Sequence, residues 1–142
     1  MIAYQVNLDY EKQTGEDNPG RVKESYLVEA ALPSEAETIV LKEVAPFIFG
    51  DCQVQKIQKR QFFDVFQSNV PLPADIWYEA KVEMIVVDGD HESRKAVNML
   101  VQGDDIHDAI KLLKSKLTSY DCEIISIKKS PILDILKPES AE

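Results

Sequence analysis

Two cysteines, two histidines, five glycines and one tryptophan in 142 residues leave little material for several chemistries. Cys52 and Cys122 are too few for a disulfide scaffold or a thiolate metal site. They could bridge only if their Cα atoms came within about 4.4–6.8 Å. The expectation is two reduced, buried thiols filling apolar space. The scarcity of glycine argues against a phosphate-cradling loop, and no Walker, dinucleotide or nucleophile-elbow pattern occurs. No run of apolar residues reaches the length of a membrane span. The opening MIAYQVNLDY lacks a basic stretch followed by an apolar core, so it does not read as a signal peptide. A cytoplasmic protein with no membrane association is expected.

Positive charge is also short. Lys and Arg number 16 against 25 Asp and Glu, a net charge of −9. The excess is spread over both halves: residues 1–70 carry −4 and residues 71–142 carry −5. Nucleic-acid binding draws affinity from neutralising phosphates. That partner is therefore disfavoured unless a local basic strip serves it.

What the chain does have is a repeat. GDCQVQKIQKRQFFDVF at 50–66 is echoed by YDCEIISIKKSPILDIL at 120–136. Asp51, Cys52, Ile57, Lys59 and Asp64 meet Asp121, Cys122, Ile127, Lys129 and Asp134. Apolar residues exchange for apolar at Val54/Ile124, Phe62/Ile132, Phe63/Leu133, Val65/Ile135 and Phe66/Leu136. The match runs backwards through Leu27-Val28 and Leu100-Val101 to Tyr4, Val6, Leu8 and Tyr78, Ala80, Val82. Small indels separate the blocks, as loops allow.

Period assigns the elements. Alternation of Ile2, Tyr4, Val6, Leu8 and Tyr10, and of Ile76, Tyr78, Ala80, Val82 and Met84, predicts a strand in each copy. A polar loop follows, KQTGEDNPG or VDGDHES, with Asp-Gly as a hairpin signal. A second strand centres on SYLVEA and NMLVQG. Helical spacing then takes over at Ala36, Ile39, Val40, Val44 and Phe47, and at Ile106, Ala109, Ile110, Leu113 and Leu117. Pro33 at the first helical position puts the cap at Leu32, and Asp105 caps the second helix. Val54 and Ile57, with Ile124, Ile125 and Ile127, mark a third strand. FFDVF or ILDIL closes each unit.

The fold expected is α+β: two tandem β-β-α-β units in a pseudo-two-fold domain, with antiparallel sheet or sheets and one helix per unit. The boundaries are 1–67, a linker at 68–75, 76–137 and an acidic disordered tail at 138–142, the two units forming one compact domain.

Candidate chemistry is thin. His91, among Asp88, Asp90 and Glu92, reads as a solvated turn rather than a metal site, and His107 as an exposed helical residue. Asp64 and Asp134 pair in the repeat, which admits a small hydrolase as an alternative, although turn-capping suits them better. Lys56, Lys59 and Arg60 answer Lys128 and Lys129, two basic clusters that could flank a groove for a small anionic, nucleotide-like ligand. Trp77 would stack on it, or on bases in a single-strand nucleic-acid accessory protein. The same lysines would also protect an exposed edge strand. No catalytic residue, metal or cofactor is implied.

Trp77–Val82, Tyr26–Ala30 with Glu35–Glu37, Met99–Gln102 and Ile125–Ile135 resemble a family of small, internally duplicated proteins of unknown function from bacteria and bacterial viruses. That resemblance covers nearly the whole chain and implies no catalytic residues. The function expected is a non-enzymatic binding or adaptor protein, holding a small anionic ligand or a protein partner between its halves, with a homo-oligomer allowed.

Overall fold

The computed structural model describes residues 2–13, 20–68 and 76–138. The loop at 14–19, most of the linker and the tail beyond Pro138 lie outside the described residues. Among those described, the strands are β1 (Ile2–Lys12), β2 (Gly20–Val28), β3 (Ile48–Gln61), β4 (Asp64–Phe66), β5 (Ile76–Asp88), β6 (His91–Gly103), β7 (Cys122–Lys129) and β8 (Ile132–Leu136). The helices are α1 (Pro33–Val44), followed by a 3-10 turn at Ala45–Phe47, and α2 (Ile106–Lys116). The chain divides into two compact units. One comprises Ile2–Arg60 and the segment from Pro131 on; the other comprises Gln61–Ser130.

The first unit holds a four-stranded sheet ordered β3-β1-β2-β8, and the second a sheet ordered β4-β6-β5-β7. Read from the other edge, the second order is β7-β5-β6-β4, the same arrangement with equivalent strands. The third strand lies outside the first, the first pairs antiparallel with the second, and a closing strand runs parallel beside the second. The sheets are therefore mixed, where purely antiparallel pairing was expected.

Each closing strand joins the sheet that does not hold the strand before it. β8, which follows β7, pairs with β2, and β4, which follows β3, pairs with β6. Chain reach explains why. The slot beside β2 lies three strand spacings from β3, roughly 14 Å. Only Phe62 and Phe63 separate β3 from β4. The three Cα–Cα steps from Gln61 to Asp64 span roughly 11 Å when fully extended. The chain leaving β3 therefore cannot return to its own sheet's vacant edge, and Ser130-Pro131 imposes the same limit on β8.

The period-based assignments hold inside each unit. Val6, Leu8, Tyr10, Val28, Ala36, Val40, Val44 and Leu136 form one core. Tyr78, Ala80, Val82, Met99, Val101, Ala109, Leu113 and Leu117 form the other. Each helix lays its stripe on one face of its sheet. The stripes are shorter than expected: Phe47 is 48% exposed in the 3-10 turn and Ile106 is 37% exposed. Asp105 caps α2 by accepting the Asp108 N–H at 2.8 Å. Leu32 occupies the cap of α1 without a side-chain bond, with Pro33 beginning the helix.

The β5–β6 hairpin closes through Gly89-Asp90, with Asp88 paired to His91. Gly89 has φ 62° and sits first in the loop, the arrangement of a II′ turn rather than the I′ turn that Asp-Gly suggests. On β7 the register shifts opposite Lys81 and Val82, making Ile125 the extra residue of a bulge. β3 changes phase at the equivalent place, since Cys52, Val54 and then Ile57 pack on the core.

Candidate binding groove and polar centres

α1 and the end of β8 border a groove of about 700 Å³ in the first unit. Helical spacing aligns Glu35, Thr38, Ile39 and Lys42 on one wall, with Glu43 beside them. Ile135, Leu136, Lys137 and Pro138 form the other wall. The Leu136 carbonyl accepts the Glu29 N–H at 3.0 Å, which pins the end of the strand. The floor is apolar, through Ile39, Ile135 and Leu136. The rim carries two lysines and two glutamates, so it has no net charge. Glu35 turns toward the helix start, accepting the Ala31 N–H at 3.3 Å.

Glu24 is a tightly held ionisable group of this unit. Tyr10 Oη donates to its Oε1 at 2.5 Å and Tyr26 Oη to the same oxygen at 3.0 Å. Lys12 Nζ reaches Oε2 at 2.9 Å. The Glu24 side chain is only 8% exposed. Burial pushes the carboxyl up, but the bonds from Tyr10, Lys12 and Tyr26 outweigh it and hold it below the ordinary carboxylate range. Burial, together with the neighbouring Glu24 charge, raises both phenols above theirs. Lys12 also lies 5.6 Å from the centre of the Phe47 ring.

The opposite face of the same sheet carries a second polar chain. Arg60 Nη1 donates to Gln5 Oε1 at 2.6 Å, Gln5 Nε2 to Ser25 Oγ at 3.0 Å, and Ser25 Oγ to Asn7 Oδ1 at 2.8 Å. Gln5 and Ser25 are buried. A smaller cavity of about 340 Å³, lined partly by Asn7, Asp9, Lys23 and Gln55, adjoins this chain.

Of the basic residues singled out in the sequence, Lys56 and Lys59 are exposed on β3, while Arg60 is half-buried and tied to Gln5. Lys128 and Lys129 are exposed on β7, in the second unit. None of the five lines either cavity described above. Trp77 is 2% exposed, which withdraws its ring from stacking on a ligand or a base. The alternating pattern of β5 places it opposite the helix-facing Tyr78, a position that period alone does not mark as buried.

Asp64 and Asp134 are exposed, and each accepts the N–H of the following residue at 2.8 Å. They fall in different units. His91 and His107 are exposed. Among the described residues no three His, Cys, Asp or Glu side chains converge on a common point. Cys52 and Cys122 are free thiols, half-buried against the two separate cores. Burial, reinforced by the adjacent Asp51 or Asp121, raises both thiols above their ordinary value. Among the described residues no helix is long and apolar enough to cross a membrane.

The chain belongs to the family described as domain of unknown function DUF4494. The family model matches residues 3–139, which takes in both units and both closing strands. No curated protein and no solved structure matches the chain significantly. Sequence reasoning missed the groove, because its walls come from residues 35–43 and 135–138, far apart in the chain. It also missed Glu24, although a glutamate two residues before Tyr26 on a helix-facing strand phase was a usable signal.

Proposed function

We propose that this is a non-enzymatic binding or adaptor protein, built from a duplicated unit, that holds an extended segment of a protein partner in the α1–β8 groove. The observation that carries the reading is the groove's composition. An apolar floor within a rim of both charge signs is the anatomy of a protein-binding patch. The neutral rim favours a peptide over the small anionic ligand, for which Lys42 and Lys137 would have to outweigh Glu35 and Glu43. A single-strand nucleic-acid role loses its best stacking residue to the burial of Trp77. The local bonds of Asp64 and Asp134 suit turn geometry better than a hydrolytic pair.

Selection from a random peptide library on the immobilised full chain tests this. Enriched peptides should share two closely spaced apolar anchors flanked by charge. Their binding should fall at least about tenfold in Thr38→Arg, which obstructs the groove from an exposed position. Lack of enrichment, or binding untouched by that substitution, would overturn the proposal. A rise in melting temperature with adenosine monophosphate that is lost in Lys56→Ala/Lys59→Ala would instead favour the anionic ligand.

A further inference from the structure

Among the described residues β3 is the longest strand, 14 residues, and ends its sheet. Among the described residues no strand lies beyond it. Its outer edge therefore presents backbone N–H and C=O groups in a form that another extended chain can pair with. Phe49, 58% exposed, adds apolar surface near one end.

The side chains along this edge are self-complementary. Cys52, Val54 and Ile57 point to the helix-covered core. Asp51 belongs to the opposite face, where its Oδ2 lies 3.9 Å from Arg21. Arg60 belongs to that face as well, through its bond to Gln5. The phase change between Val54 and Ile57 leaves Gln55 and Lys56 as the centre of the strand. When two copies of β3 run antiparallel about that centre, Val54 faces Ile57 of the second copy, Gln53 faces Gln58, Cys52 faces Lys59, and Asp51 faces Arg60. Every pair then lies on a common face, as antiparallel pairing requires. Lys56 and Lys59 meet Gln55 and Cys52, so no like charges stand directly opposite. Two symmetry-related Asp51–Arg60 pairs close the ends. A register one residue shorter or longer sets helix-facing residues against outward-facing ones.

We propose that the protein forms a two-fold dimer by antiparallel pairing of β3 with β3 of a second copy, centred between Gln55 and Lys56. The surface is the strand's outer edge and the partner is the chain itself, independent of the groove.

Sedimentation equilibrium on the full chain across a wide concentration range tests this. The wild type should fit a monomer–dimer equilibrium. Gln53→Glu/Gln58→Lys places two new ion pairs across the axis at exposed positions and leaves net charge unchanged. It should tighten the dimer by about 2- to 30-fold. The reversed pair, Gln53→Lys/Gln58→Glu, should do the same. Gln53→Lys/Gln58→Lys should loosen it, with an unchanged circular dichroism spectrum showing that the fold persists. A monomer at all concentrations, a dimer indifferent to all three variants, or assembly larger than a dimer would overturn the proposal.

Discussion

At the scale of single residues, Glu24 shows how a buried charge is kept. Two phenols and an ammonium satisfy its oxygens, so the carboxylate survives at 8% exposure. Removing a partner from such a group costs more than the bond itself, because the charge is left desolvated. The sign of the pH dependence follows. The folded carboxyl titrates below its ordinary value of 4.5, so its contribution is complete above that value and disappears as pH falls through the lower one. Tyr10 and Tyr26 are raised, so their contribution is complete below the ordinary 10.0 and is lost as pH rises past it. Glu24→Gln should lower stability at neutral pH by about 1–3 kcal/mol. It should also flatten the acid limb, so that the urea midpoints of variant and wild type converge toward low pH. Equal acid sensitivity in both proteins would remove Glu24 from this role. The cysteines were legible as apolar filler, since Cys52 and Cys122 precede the alternating apolar residues Val54 and Ile124 of β3 and β7 and pack on the two cores. Trp77 was not, because its neighbours on β5 give the whole buried signal to the other face.

At the scale of elements, period and capping chemistry carried most of the information. Asp105 and Leu32 stand at the helix starts where side-chain and proline chemistry put them. The helix stripes ended early because Ala45-Pro46 turns the chain into a 3-10 segment, and because Ile106 lies in the first turn, beyond the packed core. The bulge at Ile125 was hidden: three isoleucines in four residues suit a straight strand as well as a bulged one. Gly103 illustrates a packing constraint that composition does not reveal. A Cβ there would lie 2.7 Å from the Ala109 nitrogen and 3.0 Å from the Asp105 carbonyl oxygen. Backbone cannot yield as a flexible side chain can. Gly103→Ala should therefore destabilise by about 1–3 kcal/mol, read as a lower urea midpoint at unchanged slope. A neutral result would mean that the start of α2 shifts freely against the end of β6.

At the scale of the whole molecule, the likeness of residues 50–66 to 120–136 was legible and the sheet that each closing strand joins was not. The sequence aligns FFDVF with ILDIL, but that alignment does not say which sheet each one joins. Strand order and linker length decide it together: two residues cannot carry a chain across three strand spacings, so each closing segment joins the other sheet. The consequence reaches the groove, whose helix spans Pro33–Val44 and whose closing strand lies at Ile132–Leu136. Half of the wall was thus encoded about 90 residues from the other half, out of reach of any local pattern. The core of the first unit has the same split origin, since Leu136 packs with Val28 and Val40. The exchange is therefore the claim on which core, groove and proposed binding rest. Cross-strand backbone NOEs in a uniformly labelled sample test it most directly. The account predicts contacts that join Tyr26 to Asp134 and Val28 to Leu136, and others that join Asp64 to Met99 and Phe66 to Val101. Contacts that instead join 132–136 to β6, or 64–66 to β2, would contradict it.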